Sequence, residues 1–348
     1  MKLSLVRSGL LLVWLMACLA GAAQPATTPA PQADMAAIMH PDSCRFIVET
    51  LAADSFMGRY AGSPQATRAA MFIAKELEKA GCKPVPRTDS FLIPFRFMTP
   101  KGNHQCYNVV GVIPGKAKAG ELVLFSAHYD HVGTLSTNDY RSFMREKGKP
   151  EKGDTIYNGA NDNASGISAL IALARYFAKT GPHERTLVFI AFSAEEEGLH
   201  GSKALSLRMD LESVVAMINM DMVGVPMSAT NRNPIITGGS LSDLQKILND
   251  RLYEAAPEYG KYFFRKDNFP TEGLFTRSDN YPFAVKGVPA HTIMASSPRN
   301  RYYHSLNDEP GTIDYHLIAH IARAIALASR GLADGSDTPS RINKNLLR

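Results

Sequence analysis

The amino-acid sequence predicts an α/β domain of three layers, in which helices cover both faces of a central, mostly parallel or mixed sheet. The first observation is a set of short apolar runs, rich in β-branched residues, that have the length of buried strands: 107–113, 121–127, 186–192 and 214–220. The second is a set of stretches with helical apolar spacing around them: 42–55, 64–80, 164–179, 202–211 and 314–330. Such alternation is typical of a sheet buried on both faces.

The first half of the chain supports this order of elements. The helix over 64–80 stops at Gly81, a residue type that favours helix ends. The strands over 107–113 (YNVVGVI) and 121–127 (ELVLFSA) are separated by the turn signal Pro114-Gly115. We therefore expect helices before the sheet begins and two strands joined by a short turn.

The second half repeats the pattern. The helix over 164–179 (ASGISALIALARYFAK) ends before a Gly-Pro pair, and the strands over 186–192 (TLVFIAF) and 214–220 (VVAMINM) follow it. The last helix, over 314–330, is amphipathic. These elements place a single globular domain over 42–334.

Composition limits the classes of function. The chain has 348 residues, 45% hydrophobic and 20% charged, which is typical of a globular protein with a large core. The formal net charge is only +5, and no concentrated basic patch is evident in the sequence. Because nucleic-acid binding usually needs such a patch, we expect no nucleic-acid partner.

The first residues have the pattern of an export signal. Lys2 and Arg7 lie beside an apolar run over 10–19 that is too short to span a bilayer, and small residues follow it. We therefore expect a signal peptide over 1–23. No later stretch is long and apolar enough to span a membrane, so the mature chain should have no transmembrane span.

Two processing routes remain open for this signal. The motif LMAC, which ends at Cys18, resembles a bacterial lipoprotein site, and lipidation there would anchor the protein to a membrane. The alternative is ordinary cleavage near Ala23, which would release the protein to the periplasm or the medium.

Three other segments and the cysteines have simpler predictions. A Pro/Thr/Ala-rich tether is expected over 24–41, a solvated surface insertion over 134–157 and a flexible tail over 335–348. After Cys18, the cysteines are Cys44, Cys82 and Cys106. At most one disulfide can form among them, its pairing cannot be read from the sequence, and buried free thiols are the favoured interpretation.

Polar residues follow three of the predicted strands. His128 and Asp130 come after the strand over 121–127, Glu195 and Glu196 after the strand over 186–192, and Asp221 directly after the strand over 214–220. Taken alone, each acid is more typical of a helix cap or a solvated turn. However, the carboxyl ends of parallel strands share one edge of a sheet, where ligands bind, so these groups should converge.

Two further residues complete a candidate metal site. Asp162 lies in the Gly-bounded turn GANDNASG, and His304 lies in the segment YYHSLND. Together with the residues at the strand ends they provide two imidazoles and at least three carboxylates, a set that suits zinc or a similar divalent metal.

The same residues carry a family resemblance. The chain resembles exported metallopeptidases of family M28, the di-zinc aminopeptidase group, from about Asp42 to Leu332. The matching motifs, in order, are LAADSFMGRYAGSP, YNVVGVIPG, HYD, GANDNASG, SAEEEGLHGS, INMDMVG, SDNYPFAVKGVPA and YYHSLND. The resemblance implies a zinc-exopeptidase (phosphorylase/hydrolase-like) fold, two zinc ions per chain and peptide substrates with a free N-terminus.

The resemblance also assigns roles to residues. It implies that His128 and Asp221 bind one zinc, that Glu196 and His304 bind the other, and that Asp162 bridges the two. A bridging ligand needs two oxygens, which a carboxylate provides.

The remaining roles concern catalysis and support. The resemblance implies that Glu195 is the general base. Tyr303 either donates to the oxyanion or packs as an ordinary aromatic residue. Asp130 is expected to orient His128, and Asp308 either orients His304 or caps a turn.

Several neighbouring residues have no assigned role. Glu197, His131 and His291 are expected to be structural, and Asp279 is a weaker candidate for a position near the site. The oligomeric state and the side-chain preference of the enzyme are not predicted.

Three alternatives compete with an aminopeptidase. M20 peptidases use similar ligands, but the interval from Asp221 to His304 has no room for their inserted domain. A glutaminyl cyclase-like acyltransferase with a single zinc would share the fold. The cyclases it would most resemble line their pocket with tryptophan, and the only tryptophan here is Trp14 in the signal. A non-catalytic binding ectodomain usually lacks ligands, whereas all five ligand positions are filled.

Overall fold

A computed structural model describes residues 32–86, 88–99, 102–136, 153–296 and 299–347. The predicted signal, Cys18 and most of the insertion over 134–157 lie outside these residues. One eight-stranded sheet forms the centre. Its strands are β1 (Leu92–Thr99), β2 (Gly102–Ile113), β3 (Lys118–His128), β4 (Arg185–Phe192), β5 (Val214–Met220), β6 (Ile235–Ile236), β7 (Arg265–Lys266) and β8 (Ala290–Met294).

The sheet is mixed, with a parallel centre. The strand order is β1-β2-β4-β3-β5-β8-β6-β7. The four central strands β4, β3, β5 and β8 run parallel to one another. Antiparallel neighbours stand on both sides, β2 beside β4 and β6 beside β8. The predicted mostly parallel or mixed sheet is confirmed.

Helices cover both faces of the sheet, as predicted. They are α1 (Gln32–Ile38), α2 (Pro41–Leu51), α3 (Pro64–Ala80), α4 (Ser165–Thr180), α5 (His200–Ser206), α6 (Leu244–Ala255), α7 (Tyr281–Ala284), α8 (Tyr315–Ala328) and α9 (Arg330–Asp334). The larger core contains buried residues of α2, α3, α4, α6 and α8. A second core on the other face contains residues of α5 and α7. No helix in the described part of the chain is long and apolar enough to cross a membrane.

Local sequence explains where α3 begins and ends. The Ser63 hydroxyl accepts a hydrogen bond from the Ala66 amide, and Pro64 occupies the first turn, where no amide is needed. Gly81 closes the helix with a φ of 100°, a left-handed conformation that glycine adopts without strain. The bounds of α3 therefore agree with those predicted.

The predicted tether is wrong over its second half. Instead of a tether up to residue 41, the chain forms α1 and enters α2 at Pro41. The reason is helical apolar spacing: Met35, Ile38 and Met39 are buried in the larger core. The globular domain therefore includes residues before Asp42.

The predicted flexible tail over 335–348 is also wrong for the residues described. Ile342 is buried in the second core. The guanidinium of Arg185, itself buried, donates to the carbonyls of Leu332 and Asp337 and to the Thr338 hydroxyl. The side chain of Asp337 also accepts hydrogen bonds from Arg251. Buried polar and apolar contacts thus fix the tail against the domain.

The cysteines are free, which agrees with the favoured interpretation. Cys44, Cys82 and Cys106 are all buried and unpaired in the described structure. Burial raises the pKa of the Cys82 thiol to about 12, so this thiol is protonated and inert at neutral pH.

Candidate metal centre

The parallel strands bring the predicted residues to one edge of the sheet. His128 is the last residue of β3, and Asp221 follows β5 directly. Glu195 and Glu196 come shortly after β4, beyond Ala194, whose φ of 58° turns the chain. Because β3 lies between β4 and β5 in parallel register, the carboxyl ends of all three strands meet.

Asp162 and His304 reach this edge from loops. Asp162 lies in the turn before α4, and His304 lies in the loop after β8. The turn begins at Gly159, whose φ is 58° and where an added Cβ would lie 2.5 Å from the His131 ring. Only glycine fits there, which explains one glycine of the GANDNASG motif.

The side chains form two groups that share Asp162. In the first group, His128 Nε2 lies 3.4 Å from Asp162 Oδ1 and 3.5 Å from Asp221 Oδ1. In the second, His304 Nε2 lies 3.1 Å from Asp162 Oδ2 and 3.0 Å from Glu196 Oε2. The two oxygens of Asp162 therefore face different groups.

These separations suit a bound metal. Ligand atoms about 2.0–2.1 Å from a tetrahedral zinc ion lie about 3.3 Å from one another. Asp221 offers a further sign: its Oδ1 is buried and has no hydrogen-bond partner among the described residues, whereas its Oδ2 accepts from Ser278. An unsatisfied buried carboxylate oxygen is what a metal ligand leaves when no ion is placed.

The acids and imidazoles shift one another's protonation. Burial disfavours the imidazolium of His304, but Glu196 and Asp162 outweigh burial and raise its pKa to about 10. The pKa of His128 is raised in the same way, against burial, by Glu195 and the neighbouring aspartates. Burial opposes ionisation of Glu196, yet His304 holds its pKa at about 2. Such an excess of buried negative charge favours a cation.

Glu195 differs from its neighbour Glu196. Both line the same pocket, but only Glu196 belongs to a group of ligand atoms. Burial raises the pKa of Glu195 well above its usual value, with His128 opposing and Glu196 adding to the effect. A carboxylate with a raised pKa and no ligand role is suited to proton transfer.

Asp130 contacts the site differently from the prediction. Its carboxylate accepts hydrogen bonds from the backbone amides of Glu195 and Glu196, each at 3.2 Å. The backbone carbonyl oxygen of Asp130 lies 3.2 Å from His128 Nδ1, within hydrogen-bond distance. The carboxylate oxygen Oδ1 of Asp130 is farther from His128 Nδ1, at 3.9 Å. The side chain therefore fixes the Glu195-Glu196 turn, and the main chain orients the imidazole.

The contacts of Asp308 match the second of its two predicted roles, that of capping a turn. Its two carboxylate oxygens accept hydrogen bonds from the amides of Asn161 and Asp162, at 2.8 and 2.9 Å. Asp308 therefore supports the turn that carries Asp162. Sequence distance hides this pairing, because the two segments meet only in the fold.

His131 lies closer to the ligands than its predicted structural role requires. It is fully buried, and its Nδ1 is 3.0 Å from Glu196 Oε1 and 4.0 Å from Asp162 Oδ2. It thus joins the second group of candidate ligands. His291, in contrast, is buried away from both groups and bonds to Thr237 and Ser242, as a structural residue should.

Arg59 supports the backbone of the segments that carry the candidate ligands. Its guanidinium is fully buried and donates four hydrogen bonds to backbone carbonyls, those of Leu51, Tyr129, Asn158 and Gly159. Two of these acceptors flank the segments that carry His128 and Asp162. Burial lowers the pKa of Arg59 to about 10, and nearby acids, with Asp308 first, oppose the shift. Arg59 lies in the quoted motif LAADSFMGRYAGSP, but no spacing rule marks it.

A pocket of about 380 Å³ opens above the ligands. Its wall includes the apolar residues Met222, Leu274 and Met294. The ring of Tyr303 stacks on the His304 imidazole, with the centroids 3.8 Å apart, and its hydroxyl accepts from Arg277 at 3.1 Å. Met222 lies in the quoted motif INMDMVG, whereas no sequence pattern marked Leu274 or Met294.

Asp279 lies near the site, as the weaker prediction held. Its side chain is fully buried, and burial raises its pKa to about 7, with His128 opposing and Asp221 adding to the shift. It follows Ser278, which donates to the ligand Asp221.

Comparisons find known proteins with similar sequences and similar folds. The chain is 23% identical over 284 residues to leucine aminopeptidase 1 of Ajellomyces capsulatus, covering 78% of this chain and 67% of the relative. An aminopeptidase from Aneurinibacillus sp. strain AM-1 has a similar structure, with a TM-score of 0.61, 15% identity and coverage of 90% of this chain and 97% of that one. A glutaminyl cyclase of Porphyromonas gingivalis also has a similar structure. Its TM-score is 0.64 at 19% identity, and the match covers 83% of this chain and 96% of that one.

The fold is thus the zinc-exopeptidase fold, with candidate ligands at the carboxyl edge of its sheet. The model of peptidase family M28 matches residues 108–329, and the chain belongs to that family of metallopeptidases. The alignments with the first two curated relatives span 23% and 47% of those proteins, so the chain spans less than half of their length.

Proposed function

We propose that this protein is a di-zinc aminopeptidase that removes unblocked N-terminal residues from peptides. His128 and Asp221 would hold one ion, Glu196 and His304 the other, and Asp162 would bridge them. The observation that carries the proposal is that the two oxygens of Asp162 face two separate groups of ligand atoms. Two zinc ions bound there would supply Lewis-acid chemistry, which acidifies water and polarises a peptide carbonyl.

The protein's own residues would perform the proton transfers. Glu195 takes a proton from the attacking water and passes it to the leaving amine; its side chain lines the pocket and belongs to neither group of ligand atoms. The Tyr303 hydroxyl lies in the pocket wall and can donate to the oxyanion. The Asp130 carboxylate fixes the amides of the turn that presents Glu195.

The charge of the pocket supports a free N-terminus on the substrate. Glu195 and Asp221 both line it, and an ammonium group between such carboxylates gains Coulomb energy that an acetylated amide cannot. We therefore expect N-acetylation to abolish cleavage.

The alternatives make different predictions. A glutaminyl cyclase-like acyltransferase would release pyroglutamate from N-terminal glutamine and would work with a single zinc. A non-catalytic ectodomain would bind peptides without cleaving them. The fold does not discriminate, since both a cyclase and an aminopeptidase resemble it structurally.

The decisive experiment combines hydrolysis with metal analysis. Purified mature protein is incubated with free and N-acetylated aminoacyl amides and with glutaminyl peptides, while bound metal is measured. We expect about two zinc ions per chain, cleavage of the free substrates only, loss of activity with a chelator and recovery with zinc. Unchanged activity of the demetallated protein would refute the metal mechanism, and equal cleavage of blocked substrates would indicate an endopeptidase or amidase.

We also propose that the protein is exported. The support is the charged and apolar pattern at the start of the chain. Mass spectrometry of the mature protein should find either a lipidated Cys18 at the N-terminus or a start near Ala23. An intact chain from Met1 in the cytosol would contradict both.

A further inference from the structure

Arg277 is the only arginine or lysine among the described residues that line the pocket, where it stands with four carboxylates, two imidazoles and several neutral residues. Its guanidinium Nη2 donates to the Tyr303 hydroxyl at 3.1 Å, and Nη1 donates to the backbone carbonyl of Glu272 at 3.3 Å. Both acceptors are neutral. In the described part of the chain, Arg277 forms no ion pair, although it stands beside a cluster of carboxylates.

The acid whose main chain contacts Arg277 has its carboxylate paired with another residue. The Glu272 carboxylate pairs with Arg299 at 2.8 Å, and only its main-chain oxygen meets Arg277. Both arginines therefore contact Glu272, but only Arg299 forms an ion pair with its carboxylate. A guanidinium offers a planar set of donors that suits a carboxylate.

We propose that Arg277 is a specificity-determining residue that binds a carboxylate of the substrate. The enzyme would then prefer substrates that carry an acidic group close to the residue being removed. This inference rests on the proposed aminopeptidase function. The apolar wall formed by Met222, Leu274 and Met294 would pack against the aliphatic part of the substrate.

Distances allow two sources for this carboxylate. The Tyr303 ring lies 3.8 Å from the His304 ring and 6.0 Å from the Arg277 guanidinium carbon, so that carbon is within about 10 Å of the candidate ligand His304. An extended peptide advances about 3.5 Å per residue. An acidic side chain of the first residue and the C-terminal carboxylate of a dipeptide both fall within this range.

A different role would give a different result. If Arg277 only positioned the Tyr303 hydroxyl, its loss would slow all substrates by the same factor. A specificity residue changes the ratio between charged and neutral substrates, and that ratio is the quantity to measure.

The test uses pairs of substrates that differ only in charge. Glutamyl and glutaminyl p-nitroanilides compare side chains, and Leu-Leu and Leu-Leu-amide compare C-termini. We expect the wild type to favour the acidic member of at least one pair in kcat/KM, mainly through KM. Arg277→Met should lower that ratio by roughly 10- to 100-fold, the usual range for a hydrogen-bonded charge pair. Arg277→Lys should retain part of the preference.

Arg299→Met is the matched control, because it removes the same charge from a residue that also contacts Glu272. We expect its ratios to equal those of the wild type. Equal rates within both pairs for the wild type would overturn the inference, and this result does not depend on any variant folding. A ratio unchanged in Arg277→Met, or lowered equally in Arg299→Met, would also overturn it.

Calorimetry separates this inference from the proposed function. Binding of L-glutamate and L-glutamine to the metal-loaded protein is measured without turnover. If no substrate is cleaved but glutamate binds more tightly and loses that advantage in Arg277→Met, the inference holds while the proposed activity fails. For an active enzyme, equal binding of the two amino acids together with equal kcat/KM for Leu-Leu and its amide would refute the inference.

Discussion

Replacing Glu195 by Gln separates a general base from a metal ligand. The Gln side chain has nearly the same shape, and the hydrogen bond from the Glu195 backbone amide to Asp130 does not involve the altered group. Because the Glu195 carboxylate belongs to neither group of ligand atoms, both metals should stay bound. The amide cannot accept the proton, so the chemical step should lose the contribution of a general base.

The size of this effect follows from the chemistry. General acid–base catalysis contributes about 100- to 10,000-fold, which corresponds to roughly 3–5 kcal/mol of barrier. We expect kcat to fall by at least 100-fold and KM to rise by a much smaller factor, because the substrate amine loses the Glu195 charge but still meets the remaining carboxylates. The assay is steady-state hydrolysis of a free aminoacyl p-nitroanilide with bound metal measured in the same preparation.

Two neighbours serve as comparisons. Glu196 Oε2 lies 3.0 Å from His304 Nε2, so Glu196→Gln should weaken one metal site, and added zinc should restore part of the activity. Glu197 is in neither ligand group and should behave like wild type as Gln. If Glu195→Gln loses metal while Glu196→Gln keeps both ions and loses only turnover, the two assignments are exchanged.

The other predictions concern the support of the site and the core. Asp130→Asn places an amide group where the backbone amides of Glu195 and Glu196 donate, so the turn should be held less firmly. Zinc affinity, measured against a competing chelator, should fall about 10- to 100-fold. Unchanged affinity would contradict the supporting role of Asp130. Arg59→Met leaves four buried carbonyls without their Arg59 donor and should lower the free energy of unfolding by about 3 kcal/mol or more. The control is Arg68→Met at an exposed position, which should lower the free energy of unfolding by less than about 1 kcal/mol. Equal losses in the two variants would refute the role of Arg59. Burial lowers the pKa of His291 to about 4, from an ordinary value near 6.5. The stability that the neutral imidazole contributes is therefore fully present above about pH 6.5. It is lost as the pH falls towards 4, and the free energy of unfolding should drop by about 3 kcal/mol over this range. Urea unfolding across this range should therefore show a shallower acid decline in His291→Asn, and parallel declines would show that this histidine is not responsible.

The sequence was sufficient for three of the four central strands, β3, β4 and β5, because their pattern is local, whereas the short strand β8 was not among those predicted. A strand buried on both faces must be almost wholly apolar, and a helix next to it must repeat its apolar residues every three or four positions. The bounds of β5 and α3 are those predicted. The two-residue strands β6 and β7 and the helix α6 were not predicted, because two residues carry no periodic pattern and α6 is only partly apolar.

The predicted tether and tail show that local composition also fails to predict which segments pack against the domain. Composition predicted that neither would pack. Met35 and Ile342 are nevertheless buried because the domain offers them apolar surface, which composition alone cannot reveal.

The site was predicted to the extent that chemistry fixes residue type. The five candidate ligands need imidazole or carboxylate groups at strand ends and loops, and they converge as expected. Their supports were harder to predict: Arg59 acts on main-chain carbonyls, and Asp308 contacts a turn some 146 residues earlier in the chain. Hydrogen bonds to the backbone leave no pattern in the side chains that they join.

Charge balance explains why the supports take this form. Seven acids crowd the edge of the sheet: Asp130, Asp162, Glu195, Glu196, Asp221, Asp279 and Asp308. The buried Arg59 guanidinium offsets one negative charge and the imidazoles offset others only when protonated. Hydrogen bonds from main-chain amides stabilise Asp130 and Asp308 without adding a titratable group, so the remaining negative charge stays concentrated on the carboxylates of the two ligand groups. A divalent cation would match that remaining charge better than protons do, because one cation can contact more than one carboxylate oxygen at once.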